Sequence, residues 1–361
     1  MSITPFQPIL GGALLPHAPQ FFTRPETEDA ANIARVEQVA ATIGTQLAAL
    51  KPDVWITISN DHAQQFFLDC APPFALHVGG EAHGHFAGKD FHYPVASEVS
   101  FALIRQLYRL GFDPAFSSTA EVDYALGIPL THLGVHGLGA PLVPLFVNAY
   151  LPPQPTMERC YAFGQAMATA LATLHIKAVV MASGGMSHFP GTDRYANPDL
   201  AFDKAVLEPL SRGNLKSLMG LNEQQLDDTG NIELRCWAVA AGMLGERKPD
   251  VVALNPSWHH NYASLGFWSP SAPPAPPHYP ATRPELVTLT AALHALANDA
   301  AARAAFARDA AGFVQRMGLS GQHAVLLAAS DFKAITALGV HPLVPFLARM
   351  QIEREAKMDK K

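Results

Sequence analysis

Three strand-like segments of this sequence each end just before a histidine, and this repeated pattern constrains the fold more than any other feature. The three pairs are residues 9–15 before His17, residues 54–59 before His62 and residues 179–183 before His188. Apolar, β-branched runs of this length are typical of buried strands. Ligands of open α/β sheets collect beyond the carboxyl ends of such strands. We therefore predict that the three histidines lie at one edge of a sheet, as a metal site with a proton-transfer partner.

Helical segments separate the predicted strands. Residues 27–50 and 158–174 have helical spacing, and each leads into a strand. This alternation predicts an α/β fold, an open mixed sheet flanked by helices. We also expect helices near 96–110, 197–221 and 232–244, and strands near 143–149 and 251–254. Residues 70–95 are rich in Gly, His and Pro, so His83 and His85 are interpreted as part of a solvated loop rather than as a metal site.

A proline-rich segment predicts the domain boundary. Seven prolines fall within residues 270–284, a composition that breaks helices. We expect a catalytic domain over 1–269, a linker over 270–284 and a small all-α domain over 285–361. Within the last of these, one helical run is predicted over 285–316 and two shorter helices near 322–330 and 342–354.

Composition narrows the functional classes. The formal net charge of −6 leaves no basic footprint for nucleic acid. No stretch approaches the ~20 apolar residues of a membrane span, and the three cysteines, Cys70, Cys160 and Cys236, suggest neither a disulfide framework nor a CxxC zinc site. We therefore expect a cytoplasmic protein that binds neither nucleic acid nor membranes. Sixteen histidines favour metal or acid/base chemistry.

A ferrous site for oxygen chemistry needs two neutral imidazoles and one carboxylate on one side of the metal. His17 and His62 could supply the imidazoles, and Glu233 is the candidate carboxylate because it begins a predicted helix. The alternative is that Glu233 only interacts with the helix dipole, a contribution of ~0.3–1 kcal/mol. The residues alone leave both interpretations open.

Four segments, in this order along the chain, resemble the class III extradiol ring-cleavage dioxygenases, the family of protocatechuate 4,5-dioxygenase catalytic subunits. They are Pro16-His17-Ala18-Pro19, Asn60-Asp61-His62-Ala63, Gly184-Gly185-Met186-Ser187-His188 and Asn231-Ile232-Glu233-Leu234. The resemblance covers residues 8–268, and its most specific element is the Gly-Gly-Met-Ser-His segment. Residues 285–350 resemble the small helical subunit of the same enzyme, so the whole chain is similar to the fused gallate dioxygenases.

The resemblance implies an activity and a set of site residues. His17, His62 and Glu233 would be Fe(II) ligands, and His188 would be the acid/base that takes and returns the substrate proton. The substrates would be O2 and a catechol-type ring, such as a protocatechuate-like or gallate-like acid. The carboxyl-terminal helical domain would cover the active site, and we expect a homodimer.

One position departs from the family pattern. Protocatechuate-cleaving members usually have histidine in the motif that here is Val122-Asp123-Tyr124. A phenol with a pKa of ~10 donates a hydrogen bond but transfers protons poorly at neutral pH. We therefore predict that Tyr124 selects the substrate rather than breaks the ring; the alternative is a tyrosine packed under the loop.

Several matters stay open in the sequence. Arg159, Arg194 and Arg235 could each bind a substrate carboxylate, and nothing chooses among them. His259-His260-Asn261-Tyr262 is expected to form a loop after a predicted strand, and no role is assigned to its histidines. A zinc-dependent hydrolase with the same ligands, or a non-enzymatic binding protein on the same fold, is the alternative function. The ring substituent and the position of cleavage cannot be deduced.

Overall fold

The computed structural model describes residues 6–135, 139–270 and 279–358. Contacts divide the chain into two compact units, Met1–Ala272 and Pro273–Lys361. Residues 271–278, which form most of the predicted linker, lie outside the described residues. None of the helices within the described ranges is both long and apolar enough to cross a membrane.

The first unit contains two β-sheets. In chain order the strands are β1 (Ile9–Leu15), β2 (Val54–Ser59), β3 (Phe74–His77), β4 (Glu81–Phe86), β5 (Lys89–Pro94), β6 (Ala115–Ser117), β7 (Ala120–Glu121), β8 (Leu142–Val147), β9 (Ala178–Ser183), β10 (Val251–Pro256) and β11 (Asn261–Phe267). The main sheet has eight described strands in the order β10-β11-β1-β9-β2-β8-β3-β6, and a smaller one has the order β5-β4-β7.

The strands that precede the three histidines are neighbours at the centre of the main sheet. β9 lies between β1 and β2 and is parallel to both, with Ser183 beside Leu15 and Ala182 beside Ile58. The carboxyl ends of all three therefore meet at one edge. β8 is parallel to β2, whereas β11 is antiparallel to β1. The predicted open mixed sheet is confirmed.

Helices cover both faces of the main sheet. They are α1 (Gln20–Thr23), α2 (Ala30–Ala49), α3 (Ser97–Arg109), α4 (Tyr124–Leu133), α5 (Met157–Leu174), α6 (Leu200–Ser211), α7 (Glu223–Asp228) and α8 (Leu234–Leu244). Ile56 and Ile58 of β2 belong to one apolar core, and Trp55 belongs to the core on the opposite face. Burial on both faces explains why β2 is a continuous apolar run rather than an alternating one.

Helices α5 and α8 are packed at backbone distance. A Cβ atom on Gly164 would lie 2.0 Å from the carbonyl oxygen of Val239, and one on Gly242 would lie 2.0 Å from that of Tyr161. Any larger side chain at either glycine would push the helices apart. This close packing holds α8, and therefore the N-cap residue Glu233 just before it, against the sheet.

The prediction of a loop over residues 70–95 is wrong, because this segment contains β3, β4 and β5. Strands β4 and β5 form a hairpin whose tip, Ala87-Gly88, has positive φ angles at both residues, as tight hairpin turns require. Its inner face buries Ala82, Phe91 and Tyr93. The outward positions are occupied by histidines, including His83, and this composition hid the alternation that marks a half-buried strand.

Three other predicted elements have different bounds. The helix expected over 197–221 ends at Ser211; Gly213 then adopts a φ of 93°, and a 3-10 helix follows over Leu215–Gly220. The segment expected to be a loop at Asn261 begins the buried strand β11. The run expected over 285–316 is three helices, as described next.

The second unit contains only helices within its described residues. These are α9 (Val287–Asn298), α10 (Ala300–Arg308), α11 (Ala310–Arg316), α12 (Gly321–Ala328), α13 (Phe332–Ala337) and α14 (Leu343–Met358), preceded by a 3-10 turn over Pro284–Leu286. Asp299 and Asp309 divide the predicted long helix because each side chain caps the helix that follows it. Leu289, Leu293 and Phe313 lie in the core of this unit.

His132 on α4 makes the stability of the first unit sensitive to acid. Its ring packs against Phe21 and Phe22. Burial lowers the pKa of His132 to about 4, and the Glu37 carboxylate offsets only part of this effect. The folded pKa is below the unfolded value of ~6.5, so protons favour the unfolded chain and stability falls as the pH drops through this interval.

We expect His132 to lower the free energy of unfolding of the wild-type protein by about 2 kcal/mol between pH 8 and pH 5. His132→Phe should lack this part of the decrease, since a phenyl ring suits the same apolar surroundings. Urea unfolding of both proteins at the two pH values measures the difference. Equal decreases in the two proteins would show that His132 is not responsible.

Candidate metal centre

His17 and His62 are held with one ring nitrogen anchored and the other turned to a common point. The Nδ1 atom of His17 lies 2.8 Å from Oγ of Ser183, the last residue of β9. Ser183 donates a hydrogen bond to the carbonyl oxygen of Ala125, so its Oγ accepts a hydrogen bond from the Nδ1–H group of His17. The lone pair of His17 is therefore on Nε2, the tautomer that a metal ligand needs.

His62 has a comparable anchor. Its Nδ1 atom lies 2.6 Å from Oδ2 of Asp123, which also accepts the backbone N–H of His62 at 3.0 Å. Burial lowers the pKa of His62, but the hydrogen bond and charge of Asp123 outweigh burial and place the pKa above its ordinary value. A carboxylate that accepts from Nδ1 orients the ring and makes Nε2 a stronger donor to a metal.

Glu233 brings the carboxylate to the two imidazoles. Its Oε1 atom lies 3.1 Å from His17 Nε2 and 3.9 Å from His62 Nε2, and the ligand atoms of the three residues all lie within 4.8 Å of one another. Ligand atoms about 2.1 Å from one ion and at right angles lie about 3 Å apart. The three atoms are thus close to the spacing that a single bound metal ion requires.

The surroundings of Glu233 keep it ionised. Burial raises its pKa, but the positive charges that His17 and His188 carry when protonated outweigh burial, so the pKa of Glu233 lies well below its ordinary value. Its Oε2 accepts the backbone N–H of Gly185, and its Oε1 accepts the hydroxyl proton of Tyr150 at 2.6 Å. A fully buried anion facing imidazole rings is costly without a compensating cation. The donor set therefore fits a metal ion.

His188 stands beside this group with a free nitrogen. Its Nδ1 donates to the carbonyl oxygen of Met186 at 2.8 Å, so the lone pair is on Nε2, 3.9 Å from Glu233 Oε1. Burial lowers the pKa of His188, which favours the neutral form at neutral pH. The ring stacks on His260 with centroids 4.2 Å apart. His188 is therefore arranged to accept a proton at Nε2.

Tyr124, the first residue of α4, stacks on the ring of His62, with centroids 4.2 Å apart and planes 21° apart. Its ring centroid lies 5.9 Å from that of His17. Burial and the neighbouring Asp123 raise the pKa of Tyr124 far above its ordinary value. The hydroxyl therefore stays protonated and can act only as a hydrogen-bonding group in neutral solution.

A cavity of about 180 Å³ opens beside these residues. Its lining includes His17, His62, Tyr124, Tyr150, His188 and His260. The described lining contains no lysine or arginine.

The three arginines considered for a substrate carboxylate lie elsewhere. Arg159 stacks on Phe112. Arg194 stacks on Phe189 and donates to a backbone carbonyl. Arg235 is buried and donates to the backbone carbonyls of Pro155, before α5, and Ile232, before α8. None of the three lines the cavity, so a role for them in binding the substrate has no support.

Sequence reasoning missed three groups around the site. Ser183 and Asp123 act through contacts with His17 and His62 that span 166 and 61 residues, and no local pattern reveals such contacts. Tyr150 could have been predicted from its position in the sequence. It follows β8, a strand parallel to β2 whose carboxyl end reaches the same edge of the sheet. The exposed pair His83 and His85 takes no part in the site.

Residues 11–265 match the family model described as the catalytic LigB subunit of aromatic ring-opening dioxygenase. This chain belongs to the LigB family. The Klebsiella pneumoniae (strain 342) protein named 2,3-dihydroxyphenylpropionate/2,3-dihydroxicinnamic acid 1,2-dioxygenase is 31% identical over 253 residues, which are 70% of this chain and 76% of the relative. The protein of the same name from Escherichia coli O139:H28 is 30% identical over 231 residues, 64% of this chain and 69% of the relative.

A solved structure also aligns with this LigB chain. It is that of an uncharacterized protein from Escherichia coli K12, with a TM-score of 0.48 and 14% identity, and it covers 71% of this chain and 99% of the other. The family assignment confirms the predicted resemblance and the predicted enzyme class, a ring-cleaving dioxygenase. LigB dioxygenases use a metal, and the residues described above form a group that could hold one.

Proposed function

We propose that this LigB protein is a non-haem Fe(II)-dependent extradiol dioxygenase that inserts both atoms of O2 into a catechol-type ring. In this proposal His17, His62 and Glu233 hold the iron, and His188 is the acid/base. The observation that carries it is the convergence of two Nδ1-anchored imidazoles and one buried carboxylate on a single point. Two imidazoles and one carboxylate, without thiolate, favour ferrous iron with open positions for substrates.

When bound, Fe(II) would supply positions for the catechol oxygens and for O2 and would lower the pKa of the catechol hydroxyl. The protein would contribute the proton transfer. His188 has a lone pair on Nε2, and the carbonyl of Met186 holds its ring in place. It can take the catechol proton at Nε2 and return it later, which is the work of a general acid/base.

The substrate that we propose is a dihydroxyphenyl compound, the class that the names of the two relatives give for theirs. The described cavity lining presents imidazole, phenol and amide groups and no cationic lysine or arginine. A ring substituent would therefore meet hydrogen-bonding groups rather than a permanent positive charge. This supports a catechol with a linked side chain over one that needs an arginine beside its ring carboxylate.

Oxygen uptake by anaerobically reconstituted protein tests the proposed function. Iron-loaded enzyme should consume one O2 for each catechol and form a yellow ring-opened product from at least one member of a panel. The panel should include 2,3-dihydroxyphenylpropionate, protocatechuate, gallate, methylated gallates and aminophenols. Zinc-loaded protein is the matched control and should be inactive. Ester or amide hydrolysis by the zinc form, with no uptake by the iron form, would instead favour the hydrolase alternative.

The proposed role of Tyr124 is to select the substrate. Tyr124→Phe removes one hydroxyl from the cavity and should change the ratio of kcat/KM between the best and second-best catechols about tenfold, the effect of one hydrogen bond. Oxygen-electrode kinetics on the same panel measure this ratio. Tyr161→Phe, in the core at α5, is the control. If the ranking and turnover in Tyr124→Phe match those of wild type, Tyr124 is only a packing residue.

The organisation of the chain also remains a proposal. We propose a catalytic domain over 1–269, a linker over 270–284 and a helical domain over 285–361, in a cytoplasmic homodimer. The proline-rich composition of the linker and the resemblance of residues 285–350 to a small helical subunit support this division. Limited proteolysis would test the boundary, and light scattering would test the dimer.

A further inference from the structure

Asp203, on α6, is fully buried and does not line the cavity. Its carboxylate accepts hydrogen bonds from three separate segments. The backbone N–H of Ser187 lies 3.2 Å from Oδ1 and 3.0 Å from Oδ2. Asn231 Nδ2 lies 3.0 Å from Oδ1, and Asn261 Nδ2 lies 2.7 Å from Oδ2. One side chain thus joins three segments that are distant in sequence.

Each of these partners adjoins a residue of the candidate site. Ser187 directly precedes His188, Asn231 lies two residues before Glu233, and Asn261 directly follows His260. The segments also contact one another, since the N–H of His188 donates to the carbonyl of Gly230 at 3.2 Å. The stacked rings of His188 and His260 are therefore both connected to Asp203, His188 through the backbone of Ser187 and His260 through the side chain of Asn261.

A second tether joins the His188 segment to α6. The Oγ atom of Ser187 accepts the backbone N–H of Asp199, the residue that caps α6, at 2.7 Å. The amino-terminal part of α6 thus holds both the main chain and the side chain of Ser187. The first turn of this helix therefore fixes the position of the segment that leads into His188.

Burying the Asp203 carboxylate has a free-energy cost that an apolar side chain at this position would not have. Burial raises the pKa of Asp203 to about 6, and the hydrogen bonds from Asn261, Asn231 and Ser187 offset only part of this effect. An apolar side chain of similar size would fill the same space without that cost. The feature that an apolar residue cannot reproduce is the set of four hydrogen bonds.

We propose that Asp203 is a positioning residue for ring cleavage, which sets His188 against Glu233 by holding the segments of Ser187, Asn231 and Asn261 together. This inference rests on the proposed function. Asp203 touches neither the substrate nor the metal ligands directly. Its loss should therefore reduce turnover more than substrate binding, because a small displacement of an acid/base group from its productive geometry has a large effect on rate.

The two asparagines make a conservative variant available. Asn231 Oδ1 and Asn261 Oδ1 are both buried and have no hydrogen-bond partner among the described residues. In Asp203→Asn, one of these amides can rotate and present its oxygen to the new NH2 group, so the connection survives. Asp203→Leu keeps the branched arrangement of heavy atoms and makes none of the hydrogen bonds. Leu210→Ala, at a buried core position near the other end of the same helix, removes apolar packing from α6 and leaves the four hydrogen bonds of Asp203 in place.

The experiment compares these full-length variants after anaerobic Fe(II) loading, with the best catechol of the panel. We expect kcat of Asp203→Leu to fall about 100-fold with KM within about threefold and iron near the wild-type content. Asp203→Asn should recover kcat to within about fivefold of wild type. Leu210→Ala should lower the melting temperature while the folded enzyme keeps its kcat. Asn261→Ala removes one of the four hydrogen bonds and should lower kcat about tenfold. It serves as the test variant if Asp203→Leu does not fold.

Two results would overturn the inference. One is that Asp203→Leu folds and has the kcat of wild type. If Asp203→Leu does not fold, the same result in Asn261→Ala counts instead. The other is a loss of kcat in Leu210→Ala equal to that in the Asp203 variant at the same loss of stability. In both cases the proposed function would stand, because wild-type enzyme turns over. No oxygen uptake by wild-type enzyme with any catechol would overturn both the function and this inference.

Discussion

Glu233→Gln is expected to abolish ring opening, with kcat/KM at least about 1,000-fold below wild type, because the carboxylate supplies the anionic ligand of the proposed iron site. Glutamine keeps the shape of the side chain and an oxygen that can accept the hydroxyl proton of Tyr150. It removes the negative charge that faces His17 at 3.1 Å and His62 at 3.9 Å. Two neutral imidazoles alone bind ferrous iron much more weakly.

The measurements are iron content after anaerobic loading and dialysis, and oxygen uptake with a catechol. Wild type should retain about one iron per chain, and Glu233→Gln only a small fraction of that amount. Glu246→Gln, an exposed position just beyond the other end of α8, is the matched control and should behave as wild type. Full iron retention with normal turnover in Glu233→Gln would exclude this residue from the metal site.

His188→Asn should have the second-largest effect, and it should separate proton transfer from metal binding. Asparagine can still donate to the carbonyl of Met186, as His188 Nδ1 does, but it has no group that can take a proton at the place of Nε2. General acid/base catalysis contributes about 10²–10⁴-fold. We therefore expect kcat to fall by about this factor while the iron content stays at the wild-type value.

Iron assays and oxygen-electrode kinetics on the same preparations measure both quantities. His85→Asn, on the exposed face of the β4–β5 hairpin, should change neither and is the control. Loss of iron in parallel with turnover would make His188 a metal ligand instead. Unchanged kcat would remove it from the chemistry.

The centre of the fold and the histidines of the site were accessible from sequence because the signals are local. β1, β2 and β9 are continuous apolar runs, and the residue type that follows each is chemically informative. The hairpin of β4 and β5 was missed because outward histidines disguised its alternation. The buried strand β11 was missed because its start, Asn261, follows two histidines that looked like part of a loop.

The hydrogen bonds that orient His17 and His62 could not be predicted from the sequence. Asp123 anchors His62 and Ser183 anchors His17 across large sequence separations, so only the folded sheet brings them together. For Glu233, helix reasoning alone could not exclude a first-turn residue that only interacts with the dipole. In the structure it occupies the N-cap position of α8 without capping it, and its carboxylate faces His17. The assignment of these residues as iron ligands remains our proposal.

Diffraction from anaerobically grown, iron-loaded crystals, recorded on both sides of the iron absorption edge, would locate the metal ion itself. We predict one iron peak per chain, about 2.0–2.2 Å from Nε2 of His17, Nε2 of His62 and a carboxylate oxygen of Glu233, with His188 Nε2 outside bonding distance. An iron peak at another place, or a site that retains zinc and excludes iron under the same loading, would contradict this prediction.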